Sequence, residues 1–356
     1  MTELNHPNPD WLAFLQQQGA RFDEQNAIEV RYFGAAQTDW TAPTDFVAPL
    51  TDLGLIAIAG DDAASFLHNQ ITNDVEKLDL NTARLAGYCT PKGRLLASFL
   101  LWKTADAIFL QLPLALQPAI QKRLQMFVMR SKAKLSDGGA RHVALGLSGA
   151  AAESVLQTWF PSLPAQPYQK IDNAHGTLIR VADGDSNARY QWITDTASAI
   201  AAWPLLSSKL TARGASAWRL GEIQAGVPQI TAATQEQFVP QMINFELIGG
   251  VNFKKGCYPG QEIVARSQYL GKLKRRAVLA TIATTGVKAG NEVFSSADPD
   301  QPCGMVVNAE PDAVGSSLCL VEIKLAAIDN GSIHLGSVSG PALQLQPLPY
   351  ELADPQ

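Results

Sequence analysis

The chain has 356 residues, 46% hydrophobic and 17% charged, with a formal net charge of −5. That composition suits a globular protein with a large core, and at ~100–200 residues per domain it allows two or three domains. The acidic balance excludes a global positive field for nucleic acid, and no stretch reaches the ~18 apolar residues of a membrane span.

The opening "MTELNHPNPDWLAFLQQQG" has neither the basic segment nor the apolar run of a signal or transit peptide. Within it, "NPDWLAFLQQQGA" predicts a short amphipathic helix ending at Gly19, and "TAPTDFVAPL" reads as a loop. "LGLIAIAG" (53–60) is an apolar strand. "DDAASFLHNQI" (61–71) has an Asp N-cap and helical apolar spacing. "RLAGYC" and "RLLASFLLW" read as strands around the turn "TPKG", and "AIFLQL" as another strand. "LALQPAIQKRLQMFVM" predicts a helix starting near Gln117, with Pro118 in its first turn. "KAKLSD" closes this stretch as a short strand.

The order then recurs. "HVALGL" is a strand, "GAAAESVLQTWF" a helix, "GTLIRVA" and "RYQWIT" strands, and "DTASAIAAWPLLSSKLTARG" a helix broken at Pro204. "ASAWRLGEIQAGVPQI" adds a helix stopped by Gly226 and Pro228. From 272 on, short β segments alternate with turn clusters, as in a small sandwich or barrel. The expected fold class is therefore α+β, with antiparallel or mixed sheets rather than a doubly wound parallel sheet. The expected division is a body over 1–250 with two related halves (about 50–140 and 141–250), a motif segment over 251–271 at the seam, and a β module over 272–348.

Four cysteines, Cys89, Cys257, Cys303 and Cys319, are scattered without a C-x-x-C pair, which argues against a zinc knuckle or an internal iron–sulfur motif. With no secretion signal they fit free thiols in a reducing cytoplasm. His6, His68, His142, His175 and His334 show no metal spacing. Phosphate-binding glycine motifs and the G-x-S-x-G elbow are absent from the sequence.

The motif segment carries the chemistry. In "KKGCYPGQEIVAR" (254–266), Gly256 and Gly260 free the backbone and Pro259 fixes φ, so Tyr258-Pro259-Gly260 reads as a tight turn. Lys254 and Lys255 precede Cys257, and positive neighbours favour a thiolate. Against this stands the usual role of a free cysteine, which is to pack. Gln261 and Glu262 offer an amide and a carboxylate to a flat heterocycle. Arg266 shares a face with Glu262 if a helix follows the turn. Asn73 and Asp74, in "QITNDV", read equally as a capping and turn pair or as site residues. Lys92 and Arg94, in "TPKGRLLASF", are hairpin charges, either solvated or facing a carboxylated ligand.

"KKGCYPGQEIVAR" resembles the K-G-C-Y-x-G-Q-E signature of the YgfZ-type folate-binding proteins, relatives of the T-protein aminomethyltransferase of the glycine cleavage system. "FLHNQITNDV", "GYCTPKGRLLASFLLW", "IQAGVPQI", "QFVPQMINFELIGGVNFKKGCY" and "CGMVVNA" extend the likeness over roughly 50–325. The resemblance implies two related α+β halves and a small β-barrel around a central hole. It also implies a bound tetrahydrofolate or derivative, and a part in maintaining or assembling iron–sulfur clusters in client enzymes, including one that modifies tRNA. Lys255, Gly256, Tyr258, Gly260, Gln261 and Glu262 fall in the signature, with Cys257 as its reactive thiol. The aminomethyltransferases carry a carboxylate in the first hairpin, where Ala97 and Ser98 stand here, and a glutamate where Gln224 stands, with Glu222 off register. The expected role is thus a cytoplasmic folate-dependent helper with no direct nucleic-acid or membrane partner. The alternatives are a folate-dependent one-carbon transferase using Glu262 or Asp74 as acid, and a scaffold whose loop docks a client.

Overall fold

The computed structural model describes residues 7–34, 44–269, 273–312 and 315–352. His6 and Lys272, the expected first residue of the β module, lie outside the described residues.

The first sheet runs, in spatial order, Ala83–Cys89, Leu95–Lys103, Ile108–Pro113, Leu53–Ala59, Lys134–Asp137, every pairing antiparallel. The second runs Lys170–Asn173, Gly176–Gly184, Asn187–Asp195, His142–Ser148, Phe46–Pro49, Thr211–Ala212, with only the last pair parallel. In both, a hairpin-linked trio of strands is followed in space by the strand that precedes it in sequence, and a late short strand closes the edge. The second sheet differs by the insertion of Phe46–Pro49.

That insertion corrects an expectation. Residues 46–49 were expected in a loop, but all four are buried and paired with Ser148 to Leu145. Its pairing partners are 96 to 102 positions away in sequence, so no local pattern announces it. Two further short strands, Ala20–Phe22 and Val30–Phe33, form an N-terminal hairpin.

Side-chain alternation divides the body into layers. In Leu95–Lys103, Leu101 joins the core under Gln117–Val128, while Trp102 faces the second sheet. In Asn187–Asp195, Trp192 packs toward Ala150–Leu156 and Thr196–Lys209, while Ile193 faces the first sheet. The two sheets thus meet face to face, each backed by its own helices. Gln117–Val128 starts at the expected residue with Pro118 in the first turn. Thr196–Lys209 continues through Pro204 rather than breaking there, because burial of Ala202, Trp203 and Leu206 on either side outweighs the cost of one missing helix bond. Asp62 stands at the N-cap of Ala63–His68, but its side chain accepts no bond from that helix. Its Oδ2 accepts Lys132 N at 2.7 Å instead.

The third sheet runs Ile333–Leu335, Glu292–Ser295, Asp298–Pro311, Ser317–Lys324, Arg275–Ile282, Leu343–Gln346. Its two edge strands touch through the bridge His334–Ala342, so the sheet curls towards closure. Leu279, Val307, Leu318 and Leu320 share the large core of the first half, which joins this module to the body by continuous packing.

Candidate functional site

The signature forms a turn and a helix, Gln261–Tyr269. Gly260 adopts φ +81°, and a Cβ there would stand 2.7 Å from the Cα of Gly93 and nearer still to Thr90 O. Gly93 itself has φ +72° in the turn of the first hairpin, with Ile263 against it. The glycines let two backbones meet, and the signature turn docks on the "TPKG" turn. Gln241 Nε2 donates to Val264 O at 2.8 Å and holds the following helix.

Cys257 is exposed on this turn, while Cys89, Cys303 and Cys319 are buried. Lys255 is buried beneath it. Its ammonium donates to His68 O and, at 2.8 Å, to Ile71 O, and lies 4.9 Å from the centre of the Tyr258 ring. Burial pulls its pKa down to about 8, against the opposing pull of Asp74 and Cys257. Asn73 Nδ2 donates to Leu85 O and Gly249 O, both at 2.7 Å. Asp74 is buried, which by itself would raise its pKa. The Lys77 backbone bond and the neighbouring His68, Lys77 and Arg84 reverse that effect and hold it below the usual carboxylate range. Asn73, Asp74 and Lys254 line one groove together with Lys77, Arg84 and Tyr168.

Leu85 and Tyr168 also line a deeper cleft. This cleft lies where the two sheets meet the helix Ala215–Gln224. Phe99, Leu100, Val181 and Phe245 supply apolar wall, with Trp218 beside them. Arg189 is 1% exposed, stands 4.1 Å from the centre of the Trp218 ring and pairs with Glu222 at 2.8 Å. Its room comes from Gly221, where a Cβ would meet the guanidinium, and from Gly184. Gln191 is 2% exposed, and its Nε2 has no hydrogen-bond partner. Tyr168 holds φ +65°, and burial raises its phenol pKa. Its carbonyl accepts Ala83 N while its amide donates to Arg180 O, which ties the two sheets together at the cleft wall.

The signature residues do not line this cleft. Glu262 and Arg266 pair at 3.0 Å on an exposed helix face. Arg94 spends its guanidinium on Glu236 O at 3.1 Å and Gln237 O at 2.5 Å, and Lys92 is exposed at the hairpin turn. Of the two hairpin positions noted for lacking an acid, Ser98 lines the cleft and its Oγ accepts Ile230 N at 3.0 Å, while Ala97 is core. Sequence reasoning missed Tyr168, Arg189, Gln191 and Trp218 and set Glu222 aside. One signal was available: a glycine inside the helix "RLGEIQ" marks a close approach, here by Arg189.

The family model described as the GCVT N-terminal domain matches residues 16–182. The "tRNA-modifying protein YgfZ" of Enterobacter sp. (strain 638) is 29% identical over 312 residues, covering 86% of this chain and 93% of that protein. The protein of the same name from Escherichia coli (strain SE11) is 29% identical over 308 residues, with the same coverage. The crystal structure of the glycine cleavage system aminomethyltransferase T from Bartonella henselae superposes with a TM-score of 0.76 at 16% identity, covering 95% of this chain and 96% of that one, so the two share a fold. With the cysteine signature docked on the first hairpin as described, the chain is similar over most of its length to the YgfZ-type proteins and shares the fold of the glycine cleavage T protein.

Proposed function

We propose that this protein is a tetrahydrofolate-binding accessory protein that serves the assembly, insertion or repair of iron–sulfur clusters in client enzymes such as tRNA-modifying ones, with Cys257 as its reactive group. The observation that carries this reading is the thiol of Cys257, exposed on a turn locked to the first hairpin, beside a groove that shares Leu85 and Tyr168 with the cleft. The cleft residues fit a reduced pterin. Apolar and aromatic walls cover ring faces, and the orphaned Gln191 Nε2 calls for a ligand acceptor. Ser98, Gln111 and Gln229 add polar contacts. Bound folate would supply a one-carbon carrier. The chain's own contribution is to orient it and to keep water from its faces.

The signature residues have a different task in this reading. Gly256, Tyr258 and Gly260 shape the turn, Lys255 anchors it, and Gln261, Glu262 and Arg266 present an exposed polar helix to a client. Lys254, with Lys77 and Arg84 across the groove, supplies positive charge for a carboxylated tail, a part for which Lys92 and Arg94 are placed less well.

The test is Cys257→Ala. In vivo function is lost, while tetrahydrofolate titration by calorimetry matches wild type. A fully active variant would overturn the role of the thiol, and absence of saturable binding in wild type would overturn the folate reading.

A one-carbon transferase is the second reading, favoured by one carboxylate, Glu222, on the cleft wall. It requires turnover of a methyl- or aminomethyl-folate donor by the purified protein, abolished by Glu222→Gln.

A further inference from the structure

Beneath Cys257 lies a histidine that the folate reading leaves without a task. His68 ends the helix Ala63–His68, and its side chain is nine-tenths buried. Its Nδ1 stands 3.2 Å from Asp74 Oδ1, within ion-pair range but without the alignment of a hydrogen bond. The other ring nitrogen, Nε2, looks the opposite way, towards Gly256, where a Cβ would lie 3.3 Å from it. Among the described residues Nε2 has no hydrogen-bond partner. The next residue is Cys257, whose side chain is exposed and within electrostatic reach of the Lys255 ammonium. That ammonium is bonded to the carbonyl of His68 itself. Carboxylate and imidazole thus adjoin beneath the backbone turn that carries the exposed thiol.

We propose that His68, oriented by Asp74, accepts the proton of the Cys257 thiol when that cysteine attacks an electrophilic sulfur or carbon. The S–H bond breaks and the proton passes to Nε2, while its electron pair forms the new bond from Sγ to the electrophile; the bond broken there gives its pair to the departing group, so no oxidant or reductant is needed. The charged groups facing the ring are Asp74 and Lys255, with Lys77 and Arg84 acting on Asp74 and Glu76 on Lys255. Before transfer the cluster of Asp74, His68, Lys255 and Cys257 holds one negative and one positive charge. Afterwards it holds two of each, so the site keeps its net charge. Asp74 sits beside the new imidazolium and Lys255 near the new thiolate. This arrangement is the general one of a nucleophile, its base and a third group that orients the base.

The inference rests on Cys257 as the reactive group, but its test needs neither folate nor a client. Carbamidomethylation by iodoacetamide, followed by intact mass, reports Cys257 because the other three cysteines are buried. His68→Gln is expected to slow the reaction at pH 7 by about tenfold or more, a modest general-base effect. The gap is expected to close by about pH 10, where an ordinary thiol ionises unaided. Asp74→Asn is expected to slow it in the same pH-dependent way. A merely structural role would lower the rate equally at both pH values, and that result, or an unchanged rate at pH 7, overturns the proposal. If His68→Gln does not fold, the His68 ring signal of the wild-type protein is followed by NMR through pH before and after alkylation of Cys257. A shifted titration curve is expected, and identical curves overturn the proposal. Loss of folate binding or of client function with these thiol results intact would count against the reading of the previous subsection and not against His68.

Discussion

A buried ammonium lies beneath Cys257. Lys255 is 8% exposed and is held by two carbonyls and an aromatic face. Folded, it loses its proton near pH 8, against 10.5 as the ordinary value. Between those values the unfolded chain binds more protons, so stability rises with pH across the window and this contribution is lost as pH falls through about 8. The urea midpoint of wild type relative to Lys255→Met is therefore expected to rise between pH 7 and 9.5. Gln191 yields a second prediction. Its Nε2 is buried without a partner, so Gln191→Leu removes a desolvated donor at similar volume. Apo stability is expected to rise by about 1 kcal/mol, while tetrahydrofolate affinity falls about five- to tenfold. Thermal melts and calorimetry read the opposite signs.

At the scale of elements, the site is a docking of two turns. The first hairpin contributes Gly93, the signature turn contributes Gly260, and their backbones leave no room for a methyl group. Gly260→Ala meets both a left-handed φ and the Gly93 backbone. A loss of at least about 1–3 kcal/mol is expected, measured by chemical denaturation. The same variant should change the alkylation rate of Cys257, since the cysteine rides on the displaced turn. Two stretches that look like separate motifs in the sequence are thus one structural unit. Their glycines were legible as turn residues, but their mutual contact was not, because 167 positions separate 93 from 260 in the chain.

Across the whole molecule, one side chain joins distant segments. Arg219 pairs with Glu29 of the N-terminal segment at 2.7 Å, with Asp52 at 2.6 Å, and with Glu310 of the third sheet. Ser216 Oγ donates to Glu310 at 2.5 Å. Burial, opposed by Arg219, raises the pKa of Glu29. That carboxylate therefore disfavours the folded state at neutral pH and is relieved as pH falls. Arg219→Met strands three carboxylates. A cost of about 2–4 kcal/mol is expected at pH 7, below that of a fully dry pair since a quarter of the Arg219 side chain is exposed. The cost should shrink near pH 4.5, as denaturation curves at both pH values would show.

The sequence by itself determined the α+β class, most strands and helices, and the turn that carries Cys257. Those features rest on short-range causes: apolar period, proline and glycine geometry, and capping residues. The family likeness was legible for the same reason, since the signature is contiguous. Only the tertiary structure decided the rest. Phe46–Pro49 became a buried strand because a distant neighbour offered its hydrogen-bonding edge. Lys255 turned inward onto two carbonyls, while Glu262 and Arg266 turned out to each other. The cleft took polar groups from Gln191 and Glu222, the latter paired with Arg189 behind the wall, residues that carry no motif. A binding surface is made by side chains that converge in space, and convergence between two sheets and a helix follows from packing across the chain, which no local pattern encodes.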